Sequence, residues 1–422
     1  MSILCVCLLL ILVVANYLLH RDVVYPAFLQ ASLWLFATAL FVVTRRMFIP
    51  VSDSIFVLSL VGVALFTMGA FVASYNHRPV LEPNQLLKGS MPGNGALIAL
   101  ASTVFIGLIL YVDRAAQLAA GGPSTNPYVN LRYALSVTWE ETGGDLGVVS
   151  YFIPFAYVFA AITILRRTGL ARARASGFLL AFALIMGLTY GILSSGRSVL
   201  LPLIVIVLII PTVLRVTTPA KTARILGVLV LLLFVVVGLA LEKGGTFGSS
   251  LQDNWAGMRD SFVLYTVGGI PSFETFVRNR GPDLDMGVNT FRTILAVLRA
   301  VGFSTPYVPL VQPYADIPMP MNVYTVYQPY IRDFGIGGIS ILFVLGFVHG
   351  LLYRLATVRN ARAVWVFLFS LSLFPLFMQI FQDMYFSLLS TWIQYSAISV
   401  LLFVVLREKQ RSPQGQFAVQ LE

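Results

Sequence analysis

The chain has 422 residues, 58% of them hydrophobic and only 11% charged, with a mean hydropathy of +0.85. A water-soluble protein carries about 25% charged residues, so this composition excludes an ordinary soluble fold and makes the bilayer the solvent. The net charge of +10 does not point to a nucleic-acid partner, because most Lys and Arg fall in short gaps between apolar runs, where they orient a membrane chain.

Apolar runs of roughly 17–22 residues match the helix length that crosses about 30 Å of hydrocarbon. They predict spans at about 3–19, 27–44, 55–75, 96–112, 147–165, 178–194, 199–214, 225–241, 335–356, 363–382 and 387–406. The expected fold is an all-α polytopic membrane protein of eleven or twelve transmembrane helices, one domain over residues 1–422. Two large hydrophilic loops, 113–146 and 242–334, and a polar tail, 407–422, complete it. The first run starts at Ile3 with no basic residue before it, unlike a cleaved signal peptide, so 3–19 reads as a retained helix. Cys5 and Cys7 share that run and the three histidines are scattered, so neither a disulfide framework nor a metal site is expected.

Orientation follows from the basic residues of the short gaps, since Lys and Arg resist translocation. Arg166, Arg167, Arg172, Arg174, Arg215, Lys221, Arg224, Arg354, Arg359, Arg362, Arg407, Lys409 and Arg411 share four short segments with one acid, Glu408. These segments are expected to be cytoplasmic, and both large loops and the link 194–198 external. Eleven crossings then place the N-terminus outside and leave Arg45 and Arg46 on the outer side. A twelfth crossing or re-entrant segment between 45 and 146 would place it inside.

Ionisable residues gather in the outer loops rather than within the spans, which argues against an ion pump or a proton-coupled transporter. In the first loop Arg132 and Gly143 stand eleven positions apart and enclose Trp139, Glu140 and Glu141. Arg grips a diphosphate bidentately, Trp stacks on a sugar ring and a carboxylate takes a hydroxyl proton; the alternative is a structural loop with interfacial aromatics. In Ser194-Ser195-Gly196-Arg197-Ser198, Arg197 is held at the ends of two helices, either facing an anion beside helix-start amides or snorkelling to headgroups. The second loop carries Arg259, Arg278, Arg280, Arg292 and Arg299 among aromatics. An amphipathic pattern over 287–302, with Phe291, Leu295 and Leu298 on one face, predicts an interfacial helix. Asp333 is placed as the N-cap of the span that follows, Asp383 as a solvated cap, and Asp283-Leu-Asp285 as a turn. His349 reads as a packing residue within Gly346-x-x-x-Gly350.

Several stretches resemble, in their order and membrane placement, the Wzy-type O-antigen and capsule polymerases, the oligosaccharide repeat unit polymerases. They are Leu131-Arg132 with its spacing to Gly143, Ser195-Gly196-Arg197-Ser198, Tyr265 followed by Gly287-Val-Asn-Thr-Phe291, and Asn322-Val-Tyr-Thr325 leading to Tyr330-x-x-Asp333-Phe-Gly335-x-x-Gly338. The turn around Arg197 departs from the family's common Gly-Ser-Arg-Gly. The resemblance implies a GT-C-like, inverting, metal- and cofactor-independent glycosyltransferase in the bacterial inner membrane, its active site facing the periplasm. Donor and acceptor would both be undecaprenyl-diphosphate-linked glycans, with a chain-length regulator in the same membrane as a further partner. The roles implied are Arg132, Arg197 and one of Arg280 or Arg292 on the diphosphates, Glu140 or Glu141 as base, and Asn322, Tyr324, Tyr330, Asp333 and Trp139 on the substrates. An O-antigen ligase, which passes the glycan to lipid A-core, and a lipid-linked oligosaccharide flippase are the alternatives.

Overall fold

The computed structural model describes residues 1–80, 87, 91–121, 124–136, 146–168, 177–194, 196–240, 262–281, 283–308 and 312–406. Every expected apolar run overlaps a helix, although 363–382 outlasts its helix, which ends at Phe377. The elements are α1 (Ser2–His20), α2 (Pro26–Thr44), α3 (Asp53–Ser74), α4 (Asn94–Ala120), α5 (Pro127–Ser136), α6 (Phe152–Thr168), α7 (Gly177–Leu193), α8 (Arg197–Val213) and α9 (Pro219–Ala240). Then come the short α10 (Gly269–Asn279), α11 (Arg292–Ala300) and α12 (Gln328–Phe334), followed by α13 (Ile341–Ala356), α14 (Ala363–Phe377) and α15 (Leu389–Val400). Among the described residues the one sheet is the antiparallel pair of β1 (Ala315–Asp316) and β2 (Pro320–Met321). Among the described residues six helical stretches, Ser2–His20, Pro26–Met47, Asp53–Ser74, Asn94–Ala120, Gly147–Thr168 and Gln328–Ala356, are long and apolar enough to cross a membrane.

Small residues set the tightest helix pair. α13 crosses α3 where Gly346 meets Phe66 and Gly350 meets Ala70, while Gly69 of α3 receives the backbone of Phe343 and Phe347. A Cβ added at Gly346 would fall 2.7 Å from the Phe66 carbonyl carbon, inside any carbon–carbon contact distance. Lipid tails are as apolar as leucine, so close backbone approach and dispersion are what hold such a pair together. His349, between the two glycines, is buried against the Phe66 ring and bonded to Tyr385 Oη at 3.1 Å and Ser372 Oγ at 3.3 Å.

Side-chain bonds define two ends of the bundle. At one, buried Asp22 between α1 and α2 accepts from Arg215 Nη2 at 2.6 Å and Tyr353 Oη at 2.9 Å, joining the α8–α9 turn to the end of α13. His77 bonds to Thr357 Oγ1, Arg166 donates to Asn94 Oδ1 and the Pro92 carbonyl, and the Gly93 N–H reaches the Leu406 carbonyl. At the other, Ser52 donates its N–H and its hydroxyl to Glu274 of α10, and Tyr128 of α5 donates to the Ile192 carbonyl. The basic gaps at 215–224 and 354–362 therefore share an end with the α1–α2 link, and Arg45 and Arg46 lie at the opposite end. Between residues 45 and 146 the described helices longer than three residues are α3, α4 and the ten-residue α5.

Candidate functional site

The Gly287–Phe291 and Tyr330–Gly338 stretches, more than forty residues apart in the chain, form one unit. Asp333 accepts from the Asn289 N–H at 3.1 Å, Asn289 Nδ2 at 2.7 Å and the Thr290 N–H at 2.6 Å. The Met286 N–H reaches the Asp333 carbonyl, and the Phe291 and Phe334 rings meet edge to face. Gly287, at φ +92°, makes the turn that a Cβ would strain. Asp333 is thus not the N-cap expected of it. It lies inside α12, fully buried, where its oxygens hold the turn that precedes α11. The helix expected over 287–302 accordingly starts at Arg292, with Leu295 and Leu298 half-buried.

That turn delivers Arg292 to a cavity of about 440 Å³, within the size range of ligand sites. Its walls come from the start of α6 (Ser150, Tyr151), the start of α8 (Ser198, Pro202), the outer segment (Asn289, Arg292, Gln312, Asn322, Tyr324, Gln328) and the chain from Gln382 to Tyr395. Amides and aromatics dominate. Among the described side chains Arg292 is the one cation and Asp383 the one carboxylate in the lining. Arg292 Nη2 donates to the Ser387 carbonyl at 2.8 Å. Burial lowers the Arg292 pKa, and the Asp383 charge opposes that shift. Tyr324 Oη donates to the Pro313 carbonyl at 2.8 Å; burial raises its pKa, and nearby Arg332 acts the other way.

Of the residues expected from the sequence, the cavity gathers Arg292, Asn322 and Tyr324. Arg197 is the first residue of α8 and the next residue, Ser198, lines the cavity; the Arg197 side chain lies outside the described ones. Tyr330 and Asp333 stand behind the wall as fully buried supports, Tyr330 donating to Asp383 Oδ1 at 2.7 Å. Arg280 lies beside Gly335, and Arg132 lies half-buried on α5; neither lines the cavity. Trp139, Glu140 and Glu141 are outside the described residues. Glu274 belongs to the latch with Ser52: burial acts to raise its pKa, but the Ser52 and Arg278 donors outweigh it and hold the carboxyl below its ordinary value. Asp285 accepts from Arg332 Nε at 2.8 Å and from Asn289 Nδ2, so it serves the same turn.

Asp383, like Asp333, departs from its expected role. It is 3% exposed, not a solvated cap, and it is part of the cavity lining. A polar stripe at Ser387, Ser390, Thr391 and Gln394, spaced three, four and seven apart, is the sequence signal that could have marked this wall. Among the described residues no group of three or more His, Cys, Asp or Glu side chains is arranged to hold a metal ion. Comparison with protein-family models, curated proteins and solved structures finds no match to this chain.

Proposed function

We propose that this protein is a polytopic glycosyltransferase that polymerises polyprenyl-diphosphate-linked oligosaccharide repeat units at the outer face of a bacterial inner membrane. The observation that carries the reading is the cavity at the end opposite the basic gaps. In it Arg292 stands among side-chain amides and aromatic rings, beside the first turn of the helix that Arg197 begins. A guanidinium suits a leaving diphosphate, amides suit sugar hydroxyls, and aromatic faces suit sugar rings. In this reading Arg292 and Arg197 hold the diphosphate, and Asn322 and the Tyr324 ring orient the sugar. Asp333 and Tyr330 hold these groups in place from behind.

The same reading fixes the topology. With the basic gaps in the cytoplasm, eleven crossings put the N-terminus and the cavity outside, and the contacts of the α1–α2 link with Arg215 and Tyr353 support eleven over twelve. Arg45 and Arg46 are then external. Deleting the gene tests the function. Surface glycan limited to one repeat unit on its lipid core is the expected result; glycan that is made but never attached would favour a ligase or a flippase and overturn polymerisation.

A further inference from the structure

Resting on that reading, we propose that Asp383 is the general base of the transfer: its carboxylate takes the proton of the acceptor hydroxyl as that oxygen attacks the anomeric carbon of the donor. A carboxylate offers about four acceptor positions, two per oxygen. Oδ1 is filled by Tyr330 Oη at 2.7 Å and the Tyr385 N–H at 3.0 Å. Oδ2 accepts the Ser387 N–H at 2.8 Å, which leaves one position open on a group that lines the cavity. Three fixed donors hold the carboxylate in one orientation and one lone pair remains for a ligand proton. Among the described residues the other acids near this site, Asp333 and Asp285, are engaged in holding the turn before α11, and Glu274 is engaged with Ser52 and Arg278.

The relation to Arg292 suits an inverting displacement. The two side chains feel one another's charge but do not pair; Arg292 donates instead to the Ser387 carbonyl. A direct ion pair would consume both groups. Held apart in one cavity, they can serve opposite faces of the anomeric carbon, the carboxylate on the side of attack and the guanidinium on the side of departure. In the step, the acceptor O–H proton passes to Asp383 Oδ2 and the acceptor oxygen bonds to the anomeric carbon. The bond from that carbon to the diphosphate oxygen breaks, and its electron pair leaves with the diphosphate, whose charge faces Arg292.

The test uses the full chain in nanodiscs with polyprenyl-diphosphate-linked repeat units as donor and acceptor, and reads donor binding and glycan transfer separately. Asp383→Asn should bind donor like the wild type and transfer about a hundredfold more slowly or worse, the ordinary contribution of a general base. Azide, a nucleophile that needs no deprotonation, should restore diphosphate release in Asp383→Asn and yield the glycosyl azide, which a merely structural loss would not allow. Tyr330→Phe keeps the carboxylate and removes one of its clamps, so it should lower kcat several-fold with KM little changed. The proposal is overturned if folded Asp383→Asn transfers within tenfold of wild type, if azide restores nothing, or if Glu140→Gln or Glu141→Gln abolishes transfer while Asp383→Asn retains it. Should Asp383→Asn fail to fold, Tyr330→Phe with wild-type kcat overturns it. A wild-type protein that transfers nothing refutes the proposed function itself, a separate outcome.

Discussion

Replacing Gly346 by Ala adds one methyl group at the place where α13 lies closest to α3. The new Cβ would sit 2.7 Å from the Phe66 carbonyl carbon and 2.8 Å from its Cα, whereas carbon atoms in contact prefer about 3.5–4.0 Å. The helices must separate by about 1 Å, and the shift cannot stay local because Gly69 and Gly350 make equally close approaches along the same seam. A radial gap of about 0.5–1 Å forfeits a quarter to a half of each dispersion contact, and overpacking of this kind costs about 1–3 kcal/mol. Gly346→Ala should therefore lower the thermal unfolding midpoint of the purified protein by several degrees, and Gly346→Val by more. Gly227, where an added Cβ meets nothing within 4 Å, is the matched control, and Gly227→Ala should leave the midpoint unchanged or slightly raised. A Gly346→Ala protein that melts with the wild type would refute the claim that glycine contacts set this seam.

Asp22→Asn leaves Arg215 buried beside a neutral partner and should cost about 3–5 kcal/mol; adding Arg215→Met should recover part of that loss in the same unfolding assay. His77 is pushed down to about 4, first by burial and then by the His20 and Arg354 charges. The unfolded chain takes up this proton near pH 6.5 and the folded one only near 4, so stability should fall as pH drops through that interval. After allowance for partial exposure the loss is about 1–2 kcal/mol. His77→Gln should flatten this acid dependence of the unfolding midpoint. Exposed Ser304, changed to Cys in a protein lacking Cys5 and Cys7, should react with a membrane-impermeant maleimide on intact spheroplasts. Labelling only after lysis would invert the topology.

The helices were legible because a helix in hydrocarbon is selected by composition and length, and both are visible in one dimension. Arg292, Asn322 and Tyr324 come instead from the resemblance of the stretches around them, which composition and spacing alone do not supply. Arg280 and Arg292 were indistinguishable, since what separates them is the turn Asp333 holds from more than forty residues away, a long-range bond no spacing reveals. The stripe from Ser387 to Gln394 is hidden because averaging hydropathy over 387–406 masks one polar face of an otherwise apolar helix, and Asp383, in the short gap before it, reads locally as a cap. Asp333 was read from its local position as a cap, and a local reading cannot see that its partners lie in the preceding loop.

If this cavity transfers a glycan from a polyprenyl diphosphate through Arg292, the purified chain should do so unaided. The direct measurement incubates the purified full chain in nanodiscs with lipid-linked repeat units extracted from the deletion strain, and follows products by gel and mass spectrometry. Wild type should convert single repeats to a ladder with release of polyprenyl diphosphate. Arg292→Ala should give no ladder, and Arg292→Lys should be nearly as impaired because an ammonium lacks the planar fork. A wild-type protein that yields no ladder, or an Arg292→Ala protein that yields the same ladder, would overturn the proposed transfer.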